Sequence, residues 1–199
     1  MNAETNSSGH AHTNAAGCVA MNPRVTELAD GQTLVIREAL PEDAGALLRC
    51  LEAVSGESDF LTFGPGEFEL TQAEEEAHLR HVRETPDQLY IIGTIDAAIV
   101  AVLSFTPGRR QRMRHSGEFA MSVGKSCWGH GVGGLMLDAL LEWARATGTV
   151  RKITLRVRTD NLRGTALYRR KGFVTEGTLR GEMCVRGEYF DLLYMGLQL

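Results

Sequence analysis

The sequence predicts an α+β domain built on a mixed, mostly antiparallel sheet with helices on both faces. Two observations carry that prediction. Segments of strand and helix character follow in the order βαα, then strands in series, then βαβαββ. Strands joined by very short links pair antiparallel, whereas a helix between two strands returns the chain for parallel pairing. In addition, 199 residues of ordinary apolar and charged content can bury one full core.

Each element has its own signal. Residues 1–32 are polar, aperiodic and rich in Ala, Asn, Ser and Thr, which predicts a disordered polar tail before a folded domain over residues 33–199. His10 and His12 in that tail lack further ligands, so no metal site is expected. Leu34-Val35-Ile36 opens the fold as a strand. Pro41-Glu42-Asp43 starts a helix, with proline and acids suited to a first turn, and Ala44, Leu47, Leu48 and Leu51 repeat at helical spacing. Residues 55–70, with Gly56, Gly64, Pro65 and Gly66, read as a loop. Thr71 and Glu74 form a capping box for a second helix to about Arg83. Strands follow at 89–95 and 98–105, linked by Asp96-Ala97 as a hairpin. Arg109, Arg110, Arg112 and Arg114 lie in the next link and read as a solvated hairpin tip rather than a nucleic-acid site. A strand at 117–123 precedes a helix at 132–146, whose buried face is Val132, Met136, Ala139, Leu140 and Trp143. In the strand at 152–158, Ile153, Leu155 and Val157 alternate with outward Lys152, Thr154, Arg156 and Arg158. A short helix at 162–170 ends near Gly172, and Phe173 to Glu176 with Tyr189 to Leu197 complete the sheet.

Composition narrows the function classes. No apolar run approaches the roughly 18 residues of a membrane span. Cys18, Cys50, Cys127 and Cys184 are dispersed and form no C-x-x-C pair, the pattern of isolated reduced thiols, and the chain is expected to be cytoplasmic. Net charge is -4, but residues 1–100 hold 5 Lys+Arg against 17 Asp+Glu and residues 101–199 hold 16 against 8. The basic half suits a phosphorylated ligand and the acidic half a cationic one.

Trp128-Gly129-His130-Gly131-Val132-Gly133-Gly134 stands between the 117–123 strand and the following helix. Glycines there let backbone approach a ligand, and the N–H groups of a helix start, with the positive end of its dipole, favour phosphate. There is no G-x-x-x-x-G-K-S/T, so a P-loop is excluded. Gly129, Gly131 and Gly134 match G-x-G-x-x-G, with Asp160 as the acidic partner. A dinucleotide site is nevertheless disfavoured. Five residues separate strand from glycine, Asp160 lies about 30 rather than about 20 residues on, and no second βαβ half follows.

The same loop, together with Asn161-Leu162-Arg163-Gly164-Thr165-Ala166-Leu167-Tyr168-Arg169-Arg170-Lys171-Gly172-Phe173, resembles the GNAT superfamily of N-acetyltransferases over roughly residues 33–199. Gly131-Val132-Gly133 fit the glycines of its Q/R-x-x-G-x-G/A loop, with Trp128 in the Gln/Arg slot. The later run fits N-x-x-A-x-x-L-Y-x-x-x-G-F with the alanine one place late. Glu176-Gly177-Thr178-Leu179-Arg180 and Gly187-Glu188-Tyr189-Phe190-Asp191 resemble the branch that acetylates protein N termini, polyamines or amino-acid-like amines.

The resemblance implies a sheet splayed between the strands 119–123 and 152–158, with acetyl-CoA as cosubstrate in the gap and direct transfer to a primary amine. It implies that Met121, Ser122 and Val123 bind the pantetheine arm through backbone and polarise the thioester carbonyl. His130, Gly131, Val132, Gly133 and Gly134 would supply N–H groups to pyrophosphate. Asn161 would hydrogen-bond the arm, although on chemistry alone it is a helix N-cap. Tyr168 would be the acid that protonates the leaving thiolate, the alternative being a core tyrosine. Glu118 would be the base, the alternative being an exposed strand-end acid. His115 is the second candidate base, His78 and His81 fall on one helix face without chemistry, and Arg156 occupies the place of a glutamate used elsewhere in the branch. Direct transfer makes Cys127 an unneeded nucleophile. The acceptor site is expected from residues 55–70 and the last hairpin near Glu188 to Asp191, with Glu57, Asp59, Glu67 and Glu69 drawing an ammonium and Phe60, Phe63 and Phe68 shaping the wall. A small-molecule or peptide amine is the expected partner, without nucleic acid or membrane, and the resemblance allows a homodimer through the late strands. The rival class is a CoA-binding regulatory module without transfer.

Overall fold

The computed structural model describes residues 12–13 and 18–199. Its strands are β1 (His12–Thr13), β2 (Val19–Ala20), β3 (Arg24–Glu27), β4 (Thr33–Glu38), β5 (Leu89–Ile95), β6 (Ala98–Pro107), β7 (Ser116–Val123), β8 (Lys152–Arg158), β9 (Val174–Val185) and β10 (Glu188–Gln198). Its helices are α1 (Ala44–Glu57), α2 (Gln72–Glu84), α3 (Val132–Thr147) and α4 (Leu162–Arg170). The main sheet has the order β3-β4-β5-β6-β7-β8-β10-β9. Every adjacent pair is antiparallel except β7 with β8, which α3 connects. The expected α+β architecture is therefore present, and no helix among the described residues is long and apolar enough to cross a membrane.

Two apolar layers hold the sheet. On one face α3 sets Met136, Leu137, Leu140 and Trp143 against Ile91, Leu103, Phe105, Phe119 and Leu155. On the other, Leu47 and Leu51 of α1 and Leu79 of α2 cover Ile92 and Val102. Helix α2 starts as its sequence dictates: Thr71 Oγ1 accepts from Glu74 N, and Glu74 Oε2 accepts from Thr71 N. The β5–β6 hairpin turns on Asp96 at φ 49° and Ala97 at φ 64°, the doubly left-handed turn that matches strand twist.

Three expectations are corrected. The tail does not extend to residue 32. Strand β3 pairs with β4, Cys18 and Leu28 are buried, and Val19 accepts a 2.9 Å bond from Trp143 Nε1. A few apolar residues suffice there because the sheet edge supplies backbone partners. Residues 1–11 and 14–17, His10 among them, lie outside the described residues. In β8, Thr154 and Arg158 are not outward but 3% and 5% exposed. The last hairpin is also longer than expected, with β9 running to Val185 along an exposed sheet edge.

Candidate active site

The sheet forks between β7 and β8. Only three rungs join them: Ser116 with Lys152, Gly117 with Ile153, and Glu118 with Thr154. Beyond Glu118, β7 stays paired to β6 as far as Val123, and β8 stays paired to β10 as far as Arg158. Each strand thus turns one backbone edge to the gap, where an extended ligand can add as a strand would. A buried bond from Thr154 Oγ1 to the Gly117 carbonyl, 3.1 Å, pins the last rungs before the split. Met121, Ser122 and Val123 lie on the stretch of β7 that is paired to β6 but not to β8. The Val123 carbonyl, however, is already taken by Trp128 Nε1 at 2.7 Å.

That indole bond explains the tryptophan in the loop. It ties the end of β7 to the turn that enters α3, and the Arg163 guanidinium stacks 5.4 Å from its ring centroid. Gly129 and Gly131 take φ of 90° and 86°, a conformation that other residues adopt only under strain. Gly131 is the N-cap of α3, with no side chain to cap the helix and no acid in its first turn. Among the described residues, the first N–H groups of α3, on Val132, Gly133 and Gly134, have no side-chain partner, which is the chemistry a pyrophosphate needs. Gly133 also allows close packing: a Cβ there would meet Leu167 at 3.3 Å and Met121 at 3.5 Å, closing the gap between β7, α3 and α4. The His130 ring turns away to Asp30, 2.9 Å, leaving its backbone in the loop. These features fit coenzyme A.

Asn161 caps α4, its Oδ1 accepting from Gly164 N at 2.9 Å. This satisfies the reading from chemistry alone and leaves the Nδ2 donors over. The Tyr168 ring packs against Phe119 at 5.8 Å and Phe173 at 6.1 Å. Burial pushes its phenol up to about 12. Glu118 stands on the opposite sheet face to Phe119, its Oε1 accepting from Arg156 Nε at 2.7 Å. That bond and the Glu118 charge raise the Arg156 guanidinium above its ordinary value. The structure therefore gathers Glu118, Met121, Ser122 and the glycine loop around the fork, with α4 beside it. His115 sits at the far end of β7, its carbonyl bound by Arg151 N and Lys152 N. Cys127 is buried in the α3 core layer.

The expected acceptor segments meet at the end of β8, around a residue that sequence reasoning missed. Arg158 makes a two-pronged bond to Asp160 and donates to the Asp59 carbonyl. Its guanidinium lies 3.5 Å from the Phe190 ring centroid and 5.1 Å from that of Phe60. Arg186 of the last hairpin reaches Asp59 at 3.1 Å. Strand alternation placed Arg158 in solvent, and the overlooked signal was Asp160 two residues on. Of the other acceptor candidates, Glu57 caps Lys125 N and Glu67 binds Gly64 N in its own loop. Phe63 and Phe68 stack edge-on at 4.5 Å and pack beneath the loop.

A sheet split at one parallel pair, with an uncapped glycine-entered helix at its mouth, is the arrangement that the resemblance to the N-acetyltransferases implies. The acetyltransferase (GNAT) family profile matches residues 57–173, and the chain belongs to that family. It is 28% identical over 112 residues to the L-amino acid N-acetyltransferase AaaT of Escherichia coli, covering 56% of this chain and 69% of the relative. Among solved structures, a GNAT-family acetyltransferase of Streptococcus pneumoniae is 34% identical at TM-score 0.81, with 83% and 99% of the two chains covered. The Salmonella typhimurium protein yncA, with its cofactor acetyl-CoA, shares the fold at TM-score 0.73 and 19% identity, covering 83% and 94%. The protein is an acetyl-CoA-dependent N-acetyltransferase.

Proposed function

We propose that the β7–β8 fork is the reaction centre, that Glu118 is the base and Tyr168 the acid, and that the acceptor is a small-molecule or peptide amine. The observation that carries the reading is the end of β7–β8 pairing at Glu118 itself. A carboxylate at the last rung stands where an amine entering from the α1–α2 face meets the gap.

The cosubstrate supplies the acetyl thioester. The chain supplies position, charge and proton transfer. Met121 offers its backbone groups along the gap, and its N–H can stabilise negative charge growing on the acetyl oxygen, whereas Ser122, in step with Gly124 whose N–H donates to the Val100 carbonyl, turns its own backbone groups to β6. The first turn of α3, from Val132 to Gly134, and the backbone of His130 and Gly131 hold phosphate. Asn161 spends its oxygen on the α4 cap and keeps its amide N–H groups for the arm. Glu118 takes a proton from the ammonium, because only the neutral amine has a lone pair for attack. Tyr168, held protonated by burial, gives a proton to the departing sulfur. No side-chain nucleophile is required, in keeping with the buried position of Cys127.

The likeness to an L-amino acid N-acetyltransferase supports an amino-acid-like amine among the acceptor classes. The four free, dispersed thiols support a cytoplasmic protein. The exposed edge strand β9, where Val174 is 62% exposed, with Tyr189 of β10 at 75%, supports a homodimer through the late strands.

Replacing Glu118 by Gln tests the base. The rate should fall about 100-fold or more, most steeply at low pH where the amine is mostly protonated. A Gln variant with the wild-type pH–rate profile removes Glu118 from the role.

A further inference from the structure

The protein pairs arginines with carboxylates in two different ways. Arg37 holds Asp43 with two prongs, NH1 to Oδ2 at 2.6 Å and NH2 to Oδ1 at 2.8 Å. Arg158 holds Asp160 likewise, through Nε at 3.0 Å and NH2 at 2.6 Å. These pairs use both carboxylate oxygens and both edges of a fork, the self-satisfied geometry of a structural clamp. Arg156 and Glu118 do not. A single bond joins Nε to Oε1, and both side chains stay open, 42% and 38% exposed. Glu118 Oε2 has no hydrogen-bond partner among the described residues. The terminal amino groups of Arg156 make no hydrogen bond among the described residues, and NH1 forms a long ion pair, 4.0 Å, with Glu182 Oε1.

The half-used pair sits at the fork of the sheet. It presents a carboxylate oxygen without a hydrogen bond beside guanidinium amino groups held only by the long ion pair to Glu182, a negative and a positive valence side by side. A ligand with an ammonium and a carboxylate on one carbon has the mirror pattern of charge. A diamine would bring a second cation to Arg156, and a peptide N terminus has a neutral amide where the carboxylate would be. Both leave the guanidinium edge unpaired or opposed, which costs selectivity. Arg158 cannot serve instead, because Asp160, Asp59 and Phe190 already occupy it.

We infer that the acceptor is a free α-amino acid, its ammonium taken by Glu118 and its carboxylate read by Arg156, which is the specificity-determining residue. The inference rests on the proposed place of Glu118 in the site. It explains why an arginine stands on β8 beside the base: the cation orients the substrate through the group that peptides and polyamines lack. Glu182 at 4.0 Å and Tyr194, paired opposite Arg156 on β10, are the other titratable groups that influence this guanidinium.

The test compares the twenty proteinogenic L-amino acids with their carboxamides, alongside putrescine and an alanyl peptide, at equal concentrations of neutral amine. With wild-type protein, kcat/KM for the best amino acid should exceed that of its carboxamide by about 10- to 100-fold, mainly through KM, the worth of a charge-assisted pair. Arg156→Gln should bring that ratio to about 1, and Arg156→Lys should keep part of it. Retention of the acetyl-CoA-induced rise in Tm shows that the variants are folded. Equal use of acid and carboxamide by wild type overturns the inference. So does an Arg156→Gln variant in which both fall together with the ratio intact, the signature of a structural role. Acetylation only of putrescine or peptide overturns it while leaving N-acetyl transfer in place. The base role of Glu118 is scored separately, by its pH profile, so the two assignments fail independently.

Discussion

Replacing Tyr168 by Phe removes one oxygen from the site and little from the fold. The ring contacts to Phe119 at 5.8 Å and Phe173 at 6.1 Å persist. The hydroxyl makes no hydrogen bond to any described residue, so its deletion strands no partner, and stability should change by less than about 1 kcal/mol. The rate should change far more. General-acid assistance contributes about 10²- to 10⁴-fold, roughly 3–5 kcal/mol of barrier. The phenol, pushed up to about 12 by burial, stays protonated over the whole neutral and mildly alkaline range, so the proposed acid is always loaded. Two pH consequences follow from the raised value. The stabilisation of the neutral phenol is complete below about pH 10, the unfolded value, and is lost as pH rises through about 12. Likewise any alkaline fall in kcat below about pH 10 must belong to another group. Thiol release under saturating acetyl-CoA and amine, with a thermal melt of the same protein, reads both effects. A Phe variant with wild-type kcat refutes the acid. So does a wild-type alkaline limb near pH 9 that disappears in the variant, since that phenol would not be the buried one described here.

Two further predictions concern the frame of the site. Gly117 lies one residue before Glu118, and a Cβ there would press on the Phe105 ring and the Thr106 carbonyl oxygen. Gly117→Ala should cost about 2–3 kcal/mol and lower Tm by about 5–10 °C in a melt, because the backbone on that side cannot yield. At the β5–β6 turn, Ala97 holds φ 64°, which favours glycine. Ala97→Gly should raise stability by about 0.5–1 kcal/mol in urea titration, the relief of left-handed strain exceeding the entropy glycine adds to the unfolded chain.

The elements legible in the sequence were those whose signals are local. The capping box of Thr71 and Glu74 set the start of α2, the two-residue link at Asp96-Ala97 fixed a hairpin, and clustered glycines marked the entry to α3. The fork was legible only through likeness to a family, because nothing in the residues 119–123 says that their neighbour strand leaves. What escaped was decided by tertiary partners. β3 is four residues with one apolar side chain exposed, and it exists because β4 offers it an edge. Arg158 reads as a solvent-facing arginine until Asp160, Phe60 and Phe190 close around it. Trp128 departs from the usual loop residue, and its purpose appears only in the bond to the Val123 carbonyl.

The central claim is that the cosubstrate lies in the β7–β8 gap with its phosphates on the first turn of α3. Amide hydrogen exchange of the full chain, with and without saturating coenzyme A, tests it most directly. Slowed exchange is expected at Met121 and at Val132 to Gly134, with little change at the β9 edge. Unaltered exchange at those amides under saturation, with protection appearing elsewhere, would contradict it.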